Sequence, residues 1–136
     1  MTQKESLAPD TLFSSTEFGF AQVVTSRQGK FVHCAGQTAW DKNMQIVGEG
    51  DLVRQLEQAF ENVRLALEAG GATPNDVVRI TIYVVDYKPE LIEIIGQAMN
   101  SFFDKDNQPA STLVGVQSLA LPEFLIEIEV TAVVEE

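Results

Sequence analysis

One stretch limits this chain's fold more than any other, the segment DLVRQLEQAFENVRLALEAGG from Asp51 to Gly71. Leu52, Leu56, Ala59, Phe60, Val63 and Leu67 recur at spacings of three and four, which is the stripe of a helix lying on something apolar. Asp51 suits the N-cap, and Gly70-Gly71 supplies a left-handed stop. Burying five large side chains of that stripe is worth on the order of 10 kcal/mol before chain entropy is subtracted. A long one-sided helix in a chain rich in β-branched runs is a helix made for a sheet.

Those runs have period two. In Ile126–Val130, apolar Ile126, Ile128 and Val130 alternate with Glu127, Glu129 and Thr131, so one face goes to a core and the other stays polar. Val77 to Asp86, VVRITIYVVD, reads as a central strand. Phe18–Thr25 and Phe31–Ala35 read as two strands joined by the Arg27–Lys30 turn, a hairpin. Pro89 opens a second helix to about Phe103, and Gly96 within it implies close packing. Residues 1–12 read as a polar arm, and Trp40 to Glu49 as a loop with a short extended piece near Met44–Val47. The order β-β-α-β-α-β-β predicts an α+β two-layer sandwich, a mixed β-sheet with two helices on one face. All 136 residues are expected in a single domain. Val77, Val85, Leu113 and Leu119 are expected on the other face with Thr81 and Tyr83, half apolar and therefore covered by another copy.

Charge excludes some partners. Twenty acids against nine bases give a formal charge of −11. The bases are scattered, with no stripe to neutralise phosphates, so nucleic-acid binding is disfavoured. No apolar run could span a bilayer, and MTQKESLAPD has no apolar signal core, so the expected location is cytoplasmic. Cys34 is the single cysteine. It cannot form an internal disulfide and reads as a small core residue. His33, the single histidine, makes a metal centre or a Ser-His triad improbable. The glycines show no phosphate-cradling pattern.

Several local motifs together resemble the RidA/YjgF family of enamine/imine deaminases: FGFAQVV at the entry, CAGQTA at a strand end, QLEQAFENVRLALEAGGA, VVRITIYVVD, and the C-terminal PASTLVGVQSLALPEFLIEIEVTA. The resemblance spans Phe18 to Val134. It implies a chorismate mutase-like fold, a homotrimer, and small-molecule clefts between adjacent subunits. It also implies hydrolysis of reactive enamines and imines by a bound water, with no metal or organic cofactor. Carried over residue by residue, the water-handling acid is Glu127. The glycine whose backbone helps hold the substrate is Gly36, and the entry aromatic, usually Tyr, is Phe20. The small pocket residue is Leu113, and the position of the carboxylate-binding arginine is Ser111.

Ser111 is the departure that matters. A guanidinium holds a carboxylate bidentately and keeps its charge, whereas serine offers one neutral donor. A charged hydrogen bond is worth about 1.5–3 kcal/mol, or roughly ten- to a hundredfold in binding. Phe20 lacks a hydroxyl and Leu113 is apolar, so all three changes favour a neutral ligand. Glu127 reads as an acid/base in a desolvated cleft, or alternatively as a solvated strand carboxylate or a partner of Arg79. Two functional classes stand beside the deaminase: a non-catalytic trimer binding a small metabolite, and an endoribonuclease, which the acidic balance disfavours.

Overall fold

The structure is a computed structural model describing residues 4–135. A four-stranded mixed sheet carries two helices on one face. Its strands are β3 (Lys30–Gln37), β4 (Val77–Val85), β5 (Ala110–Val116) and β6 (Ile126–Val134), in the order β3-β6-β4-β5. β6 runs antiparallel to both β3 and β4, and β5 runs parallel to β4. The helices are α1 (Leu52–Ala69) and α2 (Leu91–Phe102).

α1 begins where an acceptor is available: the Asp51 carboxylate accepts the backbone N–H of Arg54 at 3.1 Å. It ends at Gly71, whose φ of 82° suits glycine. Its stripe of Leu56, Ala59, Phe60, Val63 and Leu67 is buried against Ile80, Ile82, Ile126, Ile128 and Val130 of the sheet. Phe60 meets Phe102 of α2 at 4.7 Å between ring centroids.

Three local expectations are corrected. Phe18–Thr25 is not one strand. Thr16–Phe18 forms a 3₁₀ turn, and only Val23–Ser26 is extended (β2). Nor do β2 and β3 form a hairpin. β2 pairs with β1 (Lys4–Leu7), part of the segment expected to be a polar arm, from Lys4↔Ser26 to Leu7↔Val23. Tertiary anchors draw this ribbon away from β3. Lys4 Nζ donates to the carbonyls of Asn75, at 3.3 Å, and Asn107, Ser6 Oγ donates to Gln108 O at 2.6 Å, and Ala21 N donates to Pro109 O at 2.8 Å. Residues 1–3 of the arm lie outside the described residues.

The third correction concerns the face away from the helices. A bulge between Val77 and Arg79 turns Val77 into the core. Leu113 pairs with the buried Ile82 and so faces the helices, and Leu119 lies in the loop beyond β5. The open face carries Arg79, Thr81 and Tyr83 of β4 opposite Thr131, Glu129 and Glu127 of β6, with Phe31 and His33 on β3. It is more polar than the sequence pattern suggested.

Candidate functional site

The five candidate residues divide into two groups on opposite faces of the sheet. Ser111 and Leu113 pair with Ile80 and Ile82, under the helices. Glu127 pairs with Tyr83, on the open face. Paired residues point the same way and neighbours along a strand alternate, so no rotamer of Glu127 reaches Ser111 within one chain.

The open-face group is built around a bulge. Cys34 pairs with Val130, but Gln37, not Gly36, pairs with Ile128, so β3 holds one extra residue there. A bulged residue drops out of the ladder and re-aims the backbone. Glu127 takes advantage of it. A Cβ on residue 36 would stand 2.8 Å from Glu127 Cδ and closer still to Oε2, so only glycine leaves the carboxylate its place. Arg79 instead donates to Thr112 Oγ1. Among the described residues Glu127 has no salt-bridge or hydrogen-bond partner. Two residues on, Glu129 accepts the Tyr83 hydroxyl. That bond, with desolvation and the nearby charges of Glu129 and Glu127, holds the Tyr83 phenol above its ordinary range.

The second group lines a cavity of about 270 Å³ between α2, β4, β5 and the 3₁₀ turn. Phe20, Ser111 and Leu113 meet there with Phe13, Phe18 and Met99. The turn is tied down by polar groups at its edges. Asn100 Nδ2 donates to Glu17 O at 3.0 Å, Gln108 Nε2 to Thr16 O at 2.9 Å, and Ser15 Oγ to Phe20 O at 2.7 Å. Gly19, at φ 93°, lies so near Met99 that a Cβ would collide with it. At Gly96 a Cβ would stand 3.4 Å from Phe18 O, an ordinary van der Waals contact, so the tight approach expected there falls instead at Gly19. Gln108 and Asn100 are the positioning residues that sequence reasoning missed. Gln108, directly ahead of the PAS motif, was the available signal, and the structure buries it.

Cys34 faces the helices, and burial pushes its thiol up, away from a thiolate nucleophile. No group of His, Cys, Asp or Glu among the described residues is arranged to hold a metal ion, and no described helix is long and apolar enough to cross a membrane.

Comparison with known proteins decides the lineage. Residues 14–134 match the family described as Endoribonuclease L-PSP. The chain belongs to this RidA/YjgF family. It is similar to a 2-iminobutanoate/2-iminopropanoate deaminase of Salmonella typhimurium, 33% identical over 107 residues, 77% of this chain and 80% of that protein. It is also 32% identical over 104 residues to a RutC family protein of Pyrococcus abyssi, covering 76% and 79%. The crystal structure of YyfB from Yersinia pestis, a Rid family protein of unknown function, is 40% identical with a TM-score of 0.94, covering 98% of this chain and all of that one. A mycobacterial member of the YjgF/YER057c/UK114 family, Rv2704, superposes with a TM-score of 0.64 at 29% identity, covering 96% and 99%. Two helices on one face of a mixed sheet is therefore this family's architecture.

Proposed function

We propose that this chain hydrolyses a small enamine or imine to a carbonyl compound and ammonia, in a cleft completed by a second copy of itself. A homotrimer is the assembly we propose. The observation that carries the reading is the Glu127 carboxylate, without an ion-pair or hydrogen-bond partner among the described residues and seated against the bulge at Gly36. A carboxylate with no partner among the described residues, beside backbone released from its ladder, suits proton transfer to and from a bound water.

The chemistry balances without a cofactor. Glu127 takes a proton from water as its oxygen adds to the imine carbon. That proton passes to nitrogen, giving a carbinolamine; Glu127 then carries the proton of the new hydroxyl to the amine as the C–N bond breaks, so that ammonia leaves and the oxygen remains as C=O. An enamine first takes a proton on carbon, relayed from the bound water by Glu127, and the hydroxide left behind adds to the resulting iminium carbon. Gly36 and Glu127 on the open face cannot meet Ser111, Phe20 and Leu113 on the helix face within one chain, which supports a shared cleft. In this reading Ser111 and the Gly36 backbone are polar anchors, and Phe20 and Leu113 form the apolar wall.

The test is carbonyl and ammonia release from freshly generated 2-aminoacrylate and longer imines by the parent, Glu127→Gln and Ser111→Arg. Parent activity lost in Glu127→Gln carries the proposal, and parent activity unchanged in Glu127→Gln sinks it. A non-catalytic binding trimer is the second reading, favoured by the missing cation at Ser111; parent and both variants inert, with a metabolite retained, would select it.

A further inference from the structure

The cavity beneath the aromatic turn is selective by composition. Its walls come from Phe13, Phe18, Phe20, Ile82, Met99 and Leu113, with Ser111 supplying the one hydroxyl and no Lys, Arg or His among its lining. Phe13 stands edge-on to both Phe18 and Phe20, each at 6.4 Å between centroids. Phe13 and Phe18 remain 63% and 43% exposed, so their rings frame a mouth. The hydrogen bonds of Asn100, Gln108 and Ser15 fix the Thr16–Phe20 side of this mouth.

Resting on the function proposed above, we infer that the substrate is an uncharged imine or enamine bearing a ring-sized or branched hydrocarbon group, not an imino acid. A dry apolar cavity of about 150 Å³ admits benzene. One of about 270 Å³ therefore has room for a ring with a short side chain. Edge-to-face aromatic walls suit such a ring. A carboxylate in the same place loses its hydration and regains one neutral hydrogen bond from Ser111, inside a protein whose net charge of −11 repels it. The hydrocarbon group fills the cavity, and the Ser111 hydroxyl hydrogen-bonds the reacting nitrogen or its neighbour at the cavity edge.

The experiment is a methyl NMR titration of the full chain with phenylacetamide and phenylacetate, near-isosteres differing in charge. Phenylacetamide is expected to shift the methyls of Leu113, Ile82 and Met99 with a Kd at least tenfold below that of phenylacetate. Ser111→Arg is expected to reverse the order. Leu113→Phe, which fills the space, is expected to abolish the phenylacetamide shifts while the chain stays folded, and it keeps the test decisive if Ser111→Arg does not fold. Phenylacetate binding as tightly as phenylacetamide overturns the inference, as does the absence of shifts from either. The two proposals fail separately. Turnover of 2-aminoacrylate that needs Glu127, with no phenylacetamide binding, overturns this inference and leaves the deaminase standing. Phenylacetamide binding without turnover of any imine overturns the deaminase, and with it the assignment of an imine substrate, and leaves only the cavity's preference for an uncharged ring.

Discussion

The side chain of Glu127 occupies the space that a Cβ on residue 36 would need, 2.8 Å from Glu127 Cδ. Gly36 is thus the residue that lets a carboxylate lie flat on the bulged end of β3. The requirement for glycine at this position is steric: the clash falls on the far end of a flexible side chain.

Gly36→Ala should therefore separate stability from function. The carboxylate can swing away, so unfolding free energy should change by less than about 1 kcal/mol. Imine hydrolysis should fall at least tenfold, and Gly36→Ala/Glu127→Gln should be no worse than Glu127→Gln alone. Additive losses in that cycle would mean that Gly36 acts independently of Glu127.

Phe60 is the hinge pin of the helix layer, packed on Phe102 at 4.7 Å and Phe103 at 6.3 Å. Phe60→Ala should cost about 3–5 kcal/mol in urea unfolding. Phe60→Asp, which adds a buried unpaired charge, should leave no cooperative transition. A Phe60→Asp melt like the parent's would contradict the packing of α1 on the sheet.

Gln55 is fully buried yet satisfied. Its Nε2 donates to Gly48 O at 3.1 Å and Glu123 O at 2.9 Å, and its Oε1 accepts Leu125 N at 2.9 Å. Gln55→Leu strands three backbone groups and should cost about 3 kcal/mol or more by chemical denaturation. A loss below about 1 kcal/mol would show that water replaces the amide.

Lys4 couples the N-terminal ribbon to pH. Burial lowers its ammonium from 10.5 to about 8, against a smaller opposing pull from Asp76. Below about 8 both folded and unfolded chains carry the proton, and the folded state bears the cost of the buried charge. From about 8 to 10.5 the unfolded chain binds more protons, so stability rises with pH and then levels. Measured against Lys4→Met, the parent should gain stability across that window. A flat difference would place the amine in water.

A large part of the fold was legible because it rests on local rules. The stripe of α1, the Asp51 cap, the Gly71 stop and the Ile126–Val130 alternation are each written in adjacent residues. Gln55 also shares the buried side of α1, three residues from Leu52 and four from Ala59, but its polarity disguised it. Only the loop carbonyls of Gly48 and Glu123 and the Leu125 amide, placed by long-range contacts, make its burial sensible.

By itself, the sequence determined the helices, the main strands, the family and the missing cation at Ser111, because periodicity and motif identity are properties of neighbouring residues. Tertiary structure alone decided that β2 joins β1, and not β3. It also turned Val77 inward and separated Ser111 from Glu127 across the sheet. The reason is that strand pairing and bulges are set by competition among distant partners: one extra residue in a strand reverses every later side chain, and nothing within the strand's own residues announces it.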